Sequence, residues 1–423
     1  MSALLFHNAS QVVTCSGPPR ARRGGELADA QTRRGVGVLV VEDRVAMVGP
    51  PEELERARPD AERIDCGGGL LTPGLVDSHT HAVFGRPRYE EQEMRAAGIG
   101  YMEIARRGGG IHASVRDART READDLALLA EARLRRLASY GTTTVEVKSG
   151  YGLTLDDELK LLRVIATVAS RLPMRIIPTW LGAHEIPVEY RGTDGGSASY
   201  VKLLVDQMLP LVAASGLARF ADVFCEPGVF TTDQTRTILE ASKRAGLGLK
   251  LHADELEPSG GAELGAALGA TSADHLAAVS EAGIAALAAS HTVATLLPGT
   301  MLFLGRPRQA PARALIAAGA AVALATDFNP GTSPTFNFPL ILTLAVSQLH
   351  MSAAEALVAA TVNGAAALGL ADHVGQISPG FSADLALFDC EDIRELPYWY
   401  GDRRCRGTWV RGETCHPSSA PIS

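Results

Sequence analysis

Two histidines separated by one residue, His79 and His81, are the first candidates for chemistry in this chain. They lie in the segment TPGLVDSHTHAVF, at the end of an apolar run with the pattern of a β-strand. Side chains two residues apart in a strand point to the same face of the sheet, so both imidazoles could bind one cation. Such a pair also arises by chance on protein surfaces, and further ligands have to decide between these two interpretations.

Two more ligand-type side chains end strand-like segments elsewhere in the chain, His252 in KLHADE and Asp327 in ALATDFNP. Taken singly, each is equally well explained as a helix cap or a hydrogen-bonded core residue. Together with His79 and His81 they make three imidazoles and one carboxylate, a set that suits zinc or iron and leaves a position for water. The sequence therefore predicts a metal centre that promotes hydrolysis of an amide-like bond.

Hydrolysis also needs a group that accepts the proton of the attacking water. Glu255 follows shortly after His252, and His275 ends the strand-like segment ATSADH. Either side chain could take that proton or serve the leaving nitrogen. A structural salt bridge or cap explains each of them equally well, and the sequence does not choose between the two as the base.

These residues need strands that end at a common edge, and apolar strand-like runs do alternate here with helix-like runs such as GAELGAALG and ARALIAAGA. The candidate strands are LVDSH (75–79), TTVEV (143–147), RIIPTWL (175–181), FADVF (220–224), LGLKLHA (247–253), ATSADH (270–275), TVATLL (292–297) and AVALATD (321–327). Eight such β/α units predict a TIM barrel, whose chemistry lies at the carboxyl ends of the strands.

The two ends of the chain have a different sequence pattern, made of short strand-like runs. GVGVLVVEDRVAMV (35–48) has the pattern of a β-hairpin, and short strand-like runs return in ISPGFSADLALFDC and GTWVRGE. We expect residues 1–70 and 375–423 to form a composite, β-sandwich-like small domain, with the hydrolase barrel at 71–374.

Composition limits the possible partners and location. The 423 residues are 46% hydrophobic with a formal net charge of -8 and no basic block, which argues against nucleic-acid binding. The longest apolar run, near Leu315 to Thr326, is shorter than the roughly 18 residues that suggest a membrane span. The N-terminal MSALLFHNASQVVT lacks the features of a secretory signal, so we expect a cytoplasmic protein. Six scattered cysteines without a C-x-x-C pair predict reduced, structural thiols.

Several longer segments carry a resemblance to a known family. They are PGLVDSHTHAVFG (73–85), RRGGGIHASVRDAR (106–119), TTVEVKSGYGL (143–153), LGAHEIP (181–187), LHADE (251–255), ADHL (273–276) and TDFNPGTSP (326–334). With them the chain resembles the amidohydrolase superfamily and, within it, the imidazolonepropionase family over its whole length. The resemblance implies hydrolysis of 4-imidazolone-5-propanoate to N-formimidoyl-L-glutamate in histidine degradation, and KSGYGL and FNPGTSP carry this narrower activity.

The resemblance also implies roles for individual residues. One zinc or iron ion would be held by His79, His81, His252 and Asp327. Catalysis would use Glu255, His275 and Asp327, and substrate or product would contact Arg88 at the propionate, Tyr151 and His184 at the ring, Glu255, and Asn329, Gly331 and Thr332 at the formimidoylglutamate end. Some members of the family have Gln or Ser where this chain has Glu255 and Thr332, so roles that need the carboxylate or the extra methyl are less well supported.

Two other residues and two other functions stay open at this stage. The resemblance is to a one-metal subtype, in which Lys148 is not a ligand, and a buried ion pair is the role we expect for it. His112 follows the glycines at 108–110, a candidate mobile loop over the site. The alternative functions are another cyclic-amide hydrolase or a deaminase on the same barrel, and a non-catalytic binding paralogue. Apolar helices and the habit of the family suggest a homodimer.

Overall fold

The computed structural model describes residues 2–417. The strands are β1 (Ala3–His7), β2 (Gln11–Val13), β3 (Thr32–Arg33), β4 (Gly37–Val41), β5 (Arg44–Gly49), β6 (Glu62–Asp65), β7 (Leu70–Pro73), β8 (Leu75–Asp77), β9 (Thr142–Lys148), β10 (Arg175–Ala183), β11 (Phe220–Cys225), β12 (Gly248–Ala253), β13 (Ser272–His275), β14 (Val293–Leu296), β15 (Val322–Leu324), β16 (Leu385–Phe388), β17 (Cys405–Val410) and β18 (Glu413–His416).

The helices are α1 (Pro51–Ala57), α2 (Tyr89–Ala96), α3 (Tyr101–Arg106), α4 (Ile111–Thr120), α5 (Ala123–Ala138), α6 (Leu155–Arg171), α7 (Gly196–Leu203), α8 (Leu209–Ser215), α9 (Thr232–Arg244), α10 (Gly261–Leu268), α11 (Glu281–Ala289), α12 (Pro298–Phe303), α13 (Ala312–Ala317), α14 (Phe338–Ser347), α15 (Ala353–Ala360), α16 (Val362–Ala366) and α17 (Glu395–Tyr398). A 3-10 helix spans Gly24–Ala28, and a π-helical turn at Leu204–Met208 joins α7 to α8.

Strands β8 to β15 form one parallel sheet in which neighbours in the chain are also neighbours in the sheet. A parallel bridge between Thr80 and Phe328, just beyond β8 and β15, brings the first and last strands together. Each predicted barrel strand overlaps an observed one, and the predicted TIM barrel is confirmed. The carboxyl ends of the eight strands consequently surround one opening, where side chains from distant parts of the chain can meet.

Capped, amphipathic helices cover the outside of this sheet. Thr154 Oγ1 accepts a hydrogen bond from the backbone N–H of Asp157 (3.2 Å) at the start of α6, and Thr231 does the same for Gln234 (3.3 Å) at the start of α9. Helix α6 packs against β10, and α9 packs against β11. The two Ala-rich segments predicted as outer helices are α10 and α13.

Strands from both ends of the chain build two further sheets, in the orders β5-β4-β1-β6 and β18-β17-β16-β7-β2-β3. Phe6 of the first sheet meets Trp409 of the second edge to face, with ring centroids 4.9 Å apart. The predicted hairpin at 35–48 is the antiparallel pair β4 and β5. The domain boundaries after residues 70 and 374 stay a prediction, and β7, which begins at Leu70, pairs within the six-stranded sheet.

Two observations concern the remaining expectations from the sequence. All six cysteines are free, and five of them are buried. Among residues 2–417, no helix combines the length and the hydrophobicity that crossing a membrane requires.

Candidate metal centre and active site

Three histidines and one aspartate, His79, His81, His252 and Asp327, meet at the carboxyl end of the barrel. The ring centroid of His79 lies 4.5 Å from that of His252 and 5.3 Å from that of His81. Asp327 Oδ1 lies 3.7 Å from Nε2 of both His79 and His81. All four side chains are buried. The structure therefore brings together the residues that the sequence proposes as ligands, although they lie up to about 250 positions apart.

The donor atoms of this cluster fit a cation. One ligand atom each from His79, His81 and His252 lies within 4.8 Å of the others, and the same holds for His79, His275 and Asp327. Within the described residues, His79 Nε2 and His81 Nδ1 are buried without a hydrogen-bond partner. Burial and nearby positive charge hold the pKa of both histidines well below 6.5, so that the rings are neutral, the form that binds a metal. This set of donors suits one divalent metal ion.

A layer of charged side chains, of which sequence analysis identified only Lys148, lies behind these histidines. Asp274 Oδ2 lies 2.6 Å from His79 Nδ1, and Asp222 Oδ1 lies 3.0 Å from His252 Nδ1. Lys148 Nζ contacts Asp222 (2.6 Å) and Glu146 (2.8 Å) in full burial. The buried ion pair expected for Lys148 is confirmed.

Glu255 and His275, the two candidate bases, face the same space. Glu255 follows β12, His275 ends β13, and His275 Nδ1 lies 3.6 Å from Glu255 Oε2. Burial, aided by the negative charges of Asp327 and Glu226, raises the pKa of Glu255 well above 4.5. Burial and the positive charge of His252 lower the pKa of His275. A carboxyl with a raised pKa beside a neutral imidazole is a pair suited to proton transfer.

The backbone fixes both candidates in place. The buried Glu226 carboxylate accepts hydrogen bonds from the N–H groups of Glu255 (3.1 Å), Leu256 (3.2 Å) and Glu257 (2.8 Å). His275 and Asp327 have φ angles of 81° and 53°, in the left-handed region that non-glycine residues rarely adopt. Strained backbone of this kind persists where the surrounding structure enforces it, often at functional sites.

A cavity of about 350 Å³ opens above the cluster. Most of the proposed site residues line it, namely His81, Arg88, Tyr151, His184, His252, Glu255, His275, Asp327, Asn329 and Thr332. His79 and Gly331 are not part of this lining. Arg95 and Arg306, which sequence analysis did not identify, do line the cavity. Three arginines therefore line the cavity, Arg88 and Arg95 in ion pairs with Glu91, and they offer donors for an anionic group of a ligand.

Arg88 immediately precedes α2 and is only 9% exposed. Its Nε lies 3.4 Å from Glu91 Oε1, while Nε and Nη1 are buried without a hydrogen-bond partner among the described residues. Gly331 leaves room for this guanidinium, because a Cβ at that position would lie 1.4 Å from Arg88 Nη2. A buried guanidinium with free donors is suited to a carboxylate.

The remaining proposed contacts surround the same cavity. His184 stacks on His81 with ring centroids 5.0 Å apart, lies 5.3 Å from the Tyr151 ring, and places Nδ1 2.9 Å from the Gly150 carbonyl. Asn329 Oδ1 accepts hydrogen bonds from the N–H groups of Gly331 (2.8 Å) and Thr332 (2.7 Å). These hydrogen bonds fix the conformation of the 329–332 loop. Asn329 and Thr332 of this loop line the cavity.

His112 is buried in the first turn of α4. It does not line the cavity, whereas its neighbour Ile111 does. The N–H of Gly110 donates to Glu91 Oε1 (2.7 Å), which ties the glycine segment to α2. A mobile loop at 108–110 stays a prediction.

Comparison with known proteins finds relatives along nearly the whole chain and agrees with the barrel fold. The amidohydrolase family model matches residues 102–416. The imidazolonepropionase of Solibacter usitatus is 44% identical over 99% of both chains, and that of Symbiobacterium thermophilum is 47% identical over 94% of this chain and 93% of its own. Among solved structures, an adenosine deaminase from Xanthomonas campestris with bound zinc superposes with a TM-score of 0.69 at 21% identity, covering 100% of this chain and 94% of its own.

Proposed function

Because the chain belongs to the amidohydrolase family and, within it, to the imidazolonepropionases, we propose that it hydrolyses the ring C–N bond of 4-imidazolone-5-propanoate. It is accordingly a hydrolase that acts on a cyclic amide in histidine degradation. One observation carries the assignment of this activity to particular residues: a buried cluster of three histidines and one aspartate shares its cavity with a buried arginine and a Glu–His pair.

The reaction adds one water across the bond between the ring carbonyl carbon and the adjacent ring nitrogen. The hydroxyl group joins the carbonyl carbon, which becomes a carboxylate, and a proton goes to the nitrogen as the C–N bond breaks. That nitrogen remains in the formimidoyl group of N-formimidoyl-L-glutamate, so no ammonia is released. The chemistry needs neither a redox cofactor nor a nucleotide.

In this proposal Glu255 and Asp327 carry protons, and His275 stabilises the negative charge that develops on the carbonyl oxygen. Glu255 accepts a proton from water and returns it to the leaving nitrogen, a role that its raised pKa supports. His275, neutral because its pKa is lowered, donates a hydrogen bond to the carbonyl oxygen as negative charge develops there. Asp327 is a second proton carrier, since it lines the same cavity as Glu255 and His275.

Binding and orientation fall to a separate group of side chains. Arg88 lines the cavity and would bind the propionate through its guanidinium, and Tyr151 and His184 would contact the imidazolone ring. Asn329 and Thr332 line the cavity and would contact the product, and Gly331, which does not line it, contributes by leaving room for Arg88. A fixed carboxylate at one end and ring contacts at the other would hold the scissile bond toward Glu255.

The metal would be held by His79, His81, His252 and Asp327. We favour zinc or iron, because imidazole and carboxylate are ligands that both ions accept. When bound, such an ion lowers the pKa of a water ligand toward about 7 and polarises a carbonyl. The cytoplasm as the location and a homodimer as the assembly remain predictions from the sequence.

A deaminase of neutral bases is the principal rival, because the fold supports that activity in the Xanthomonas protein. Such an enzyme has no use for an arginine directed at a carboxylate, and Arg88 favours the anionic substrate. Other hydrolases of anionic cyclic amides remain alternatives. A non-catalytic paralogue would be expected to have lost part of the ligand set, whereas all four candidate ligands are present here.

The test is to incubate the purified protein separately with 4-imidazolone-5-propanoate and with guanine, and to measure formimidoylglutamate by mass spectrometry and ammonia by a coupled assay. We expect formimidoylglutamate from the first substrate and no ammonia from either. Ammonia release from guanine without turnover of the imidazolone would overturn the proposal in favour of a deaminase.

A further inference from the structure

The three candidate metal-binding histidines do not have the same surroundings. His79 and His252 each place Nδ1 against a buried carboxylate, Asp274 at 2.6 Å and Asp222 at 3.0 Å. His81 differs, since within the described residues its Nδ1 is buried without a hydrogen-bond partner and its ring stacks on His184 instead. Two of the three imidazole rings are thus held in place by an aspartate at Nδ1.

We propose that Asp222 and Asp274 are positioning residues that determine how tightly the metal is held, an inference that rests on the metal site of the proposed function. A carboxylate at Nδ1 keeps the proton on that nitrogen, leaves Nε2 as the free donor, and fixes the plane of the ring. It also makes the imidazole a stronger donor. Neither aspartate needs to touch substrate or metal for this effect.

Two buried lysines hold these aspartates. Lys148 Nζ lies 2.6 Å from Asp222 Oδ2 and 4.0 Å from Asp274 Oδ2, and Lys250 Nζ lies 3.6 Å from Asp274 Oδ2. Both ammonium groups also contact Glu146, at 2.8 and 3.4 Å. Without these lysines, three carboxylates would be buried side by side at a high cost in free energy.

The formal charges of this layer match its task. Three carboxylates and two ammonium groups leave one negative charge behind the histidines, and Asp327 adds a second in front of them. A net negative charge around the histidines favours a bound cation. The strand register produces the arrangement, since Asp222 lies beside Lys250 in β11 and β12 and His252 lies beside Asp274 in β12 and β13.

The experiment measures the zinc dissociation constant of the full-length protein by competition with a chromophoric chelator. We expect Asp222→Asn and Asp274→Asn each to weaken zinc binding by about 10- to 100-fold. Asp384→Asn is the matched control, because Asp384 is also buried and is ion-paired with Arg175 (3.3 Å), which begins β10 at the end of the barrel opposite the histidines. Its zinc affinity should stay within about threefold of the wild type, the change that loss of a remote carboxylate allows.

The visible absorption spectrum of cobalt-loaded protein gives a second measurement, which a general loss of stability would not change. The visible absorption bands of Co²⁺ should shift in Asp222→Asn and Asp274→Asn and not in Asp384→Asn, because ring orientation alters the ligand field. If an Asn variant does not fold, Asp222→Glu or Asp274→Glu, which keeps the charge but displaces the carboxylate, replaces it in both measurements.

Unchanged zinc affinity and an unchanged cobalt spectrum in both aspartate variants would overturn the inference. His252→Ala separates that failure from failure of the metal site itself. If His252→Ala retains its zinc, the ligand assignment is wrong. If it loses zinc while the aspartate variants bind normally, only the role of Asp222 and Asp274 is wrong.

Discussion

Replacing Gly331 with alanine tests whether Arg88 binds the substrate carboxylate. The new Cβ would lie 1.4 Å from Arg88 Nη2 and 2.2 Å from Cζ. Because ordinary contact begins near 3.4 Å, the guanidinium must retreat by about 2.0 Å. Gly331 has no positive φ angle, so the substitution acts through this clash and not through backbone strain.

A displacement of that size removes the charged hydrogen bonds to the propionate. Loss of one partner from a desolvated charge pair costs about 2–5 kcal/mol. Since Arg88 moves and is not deleted, we take the lower end, about 2 kcal/mol or about 30-fold in affinity. The effect should fall on substrate binding, because Glu255, His275 and the metal ligands keep their places.

Steady-state kinetics with two substrates provide the assay. For 4-imidazolone-5-propanoate we expect KM to rise about 30-fold with little change in kcat. For the analogue whose carboxylate is replaced by an amide, wild type and Gly331→Ala should differ little. Gly100→Ala is the matched control, because Gly100 lines the same cavity but a Cβ there would meet no described atom within 4 Å beyond its chain neighbours.

Arg88→Met gives an internal check on the reasoning. It should raise KM for the acid at least as much as Gly331→Ala, and the double variant should be no worse than Arg88→Met alone, because both changes remove the same interaction. An unchanged KM in Gly331→Ala with full metal content would refute the placement of Arg88, as would strictly additive effects.

Four further predictions concern the metal, the base Glu255 and the carboxylate that supports it. His252→Ala should lose metal, measured by elemental analysis, together with activity, because an incomplete ligand shell remains; full metal content would contradict the assignment. Glu255→Gln should lower kcat by about 100- to 10,000-fold at unchanged metal content, whereas near-normal kcat would point to His275 as the base. The pKa of Glu255 is raised above 4.5, so as the pH is lowered this carboxylate becomes protonated, and unable to accept a proton, already at a pH higher than 4.5. The kcat/KM of the wild type should therefore decrease on acidification before pH 4.5 is reached. A decrease that sets in only below pH 4.5 would count against this base. Glu226→Gln should lower kcat and leave zinc affinity intact, because it weakens the hydrogen bonds that hold the 255–257 backbone; normal kcat would show that this support is dispensable.

The ligand cluster could be anticipated because its members end strands. A parallel barrel gathers its strand ends in one place, so His252 and Asp327 converge with the His79–His81 pair. The strand ends themselves were harder to place. The segment predicted to run to Asp327 pairs only over Val322–Leu324, since the chain then turns and Asp327 takes a left-handed conformation.

Apart from Lys148, the charged layer behind the histidines was missed although its signal is present. Glu146, Lys148, Asp222, Lys250 and Asp274 are isolated charges inside otherwise apolar strands, and a buried strand tolerates such charges only when they are paired. The pairing of these charges depends on the register of neighbouring strands. A single sequence does not reveal that register. Arg95 and Arg306 lie on a helix and a loop without periodic pattern, so nothing in their spacing points to the cavity.

The central claim is metal-dependent opening of the imidazolone ring. The most direct test follows the ultraviolet absorbance of freshly generated 4-imidazolone-5-propanoate with purified, metal-analysed protein and with the same protein stripped by a chelator. We expect the metal-loaded protein to consume the substrate with formation of N-formimidoyl-L-glutamate, and the stripped protein to regain this activity when metal is restored. A fully metal-loaded protein that leaves the substrate intact would contradict the account.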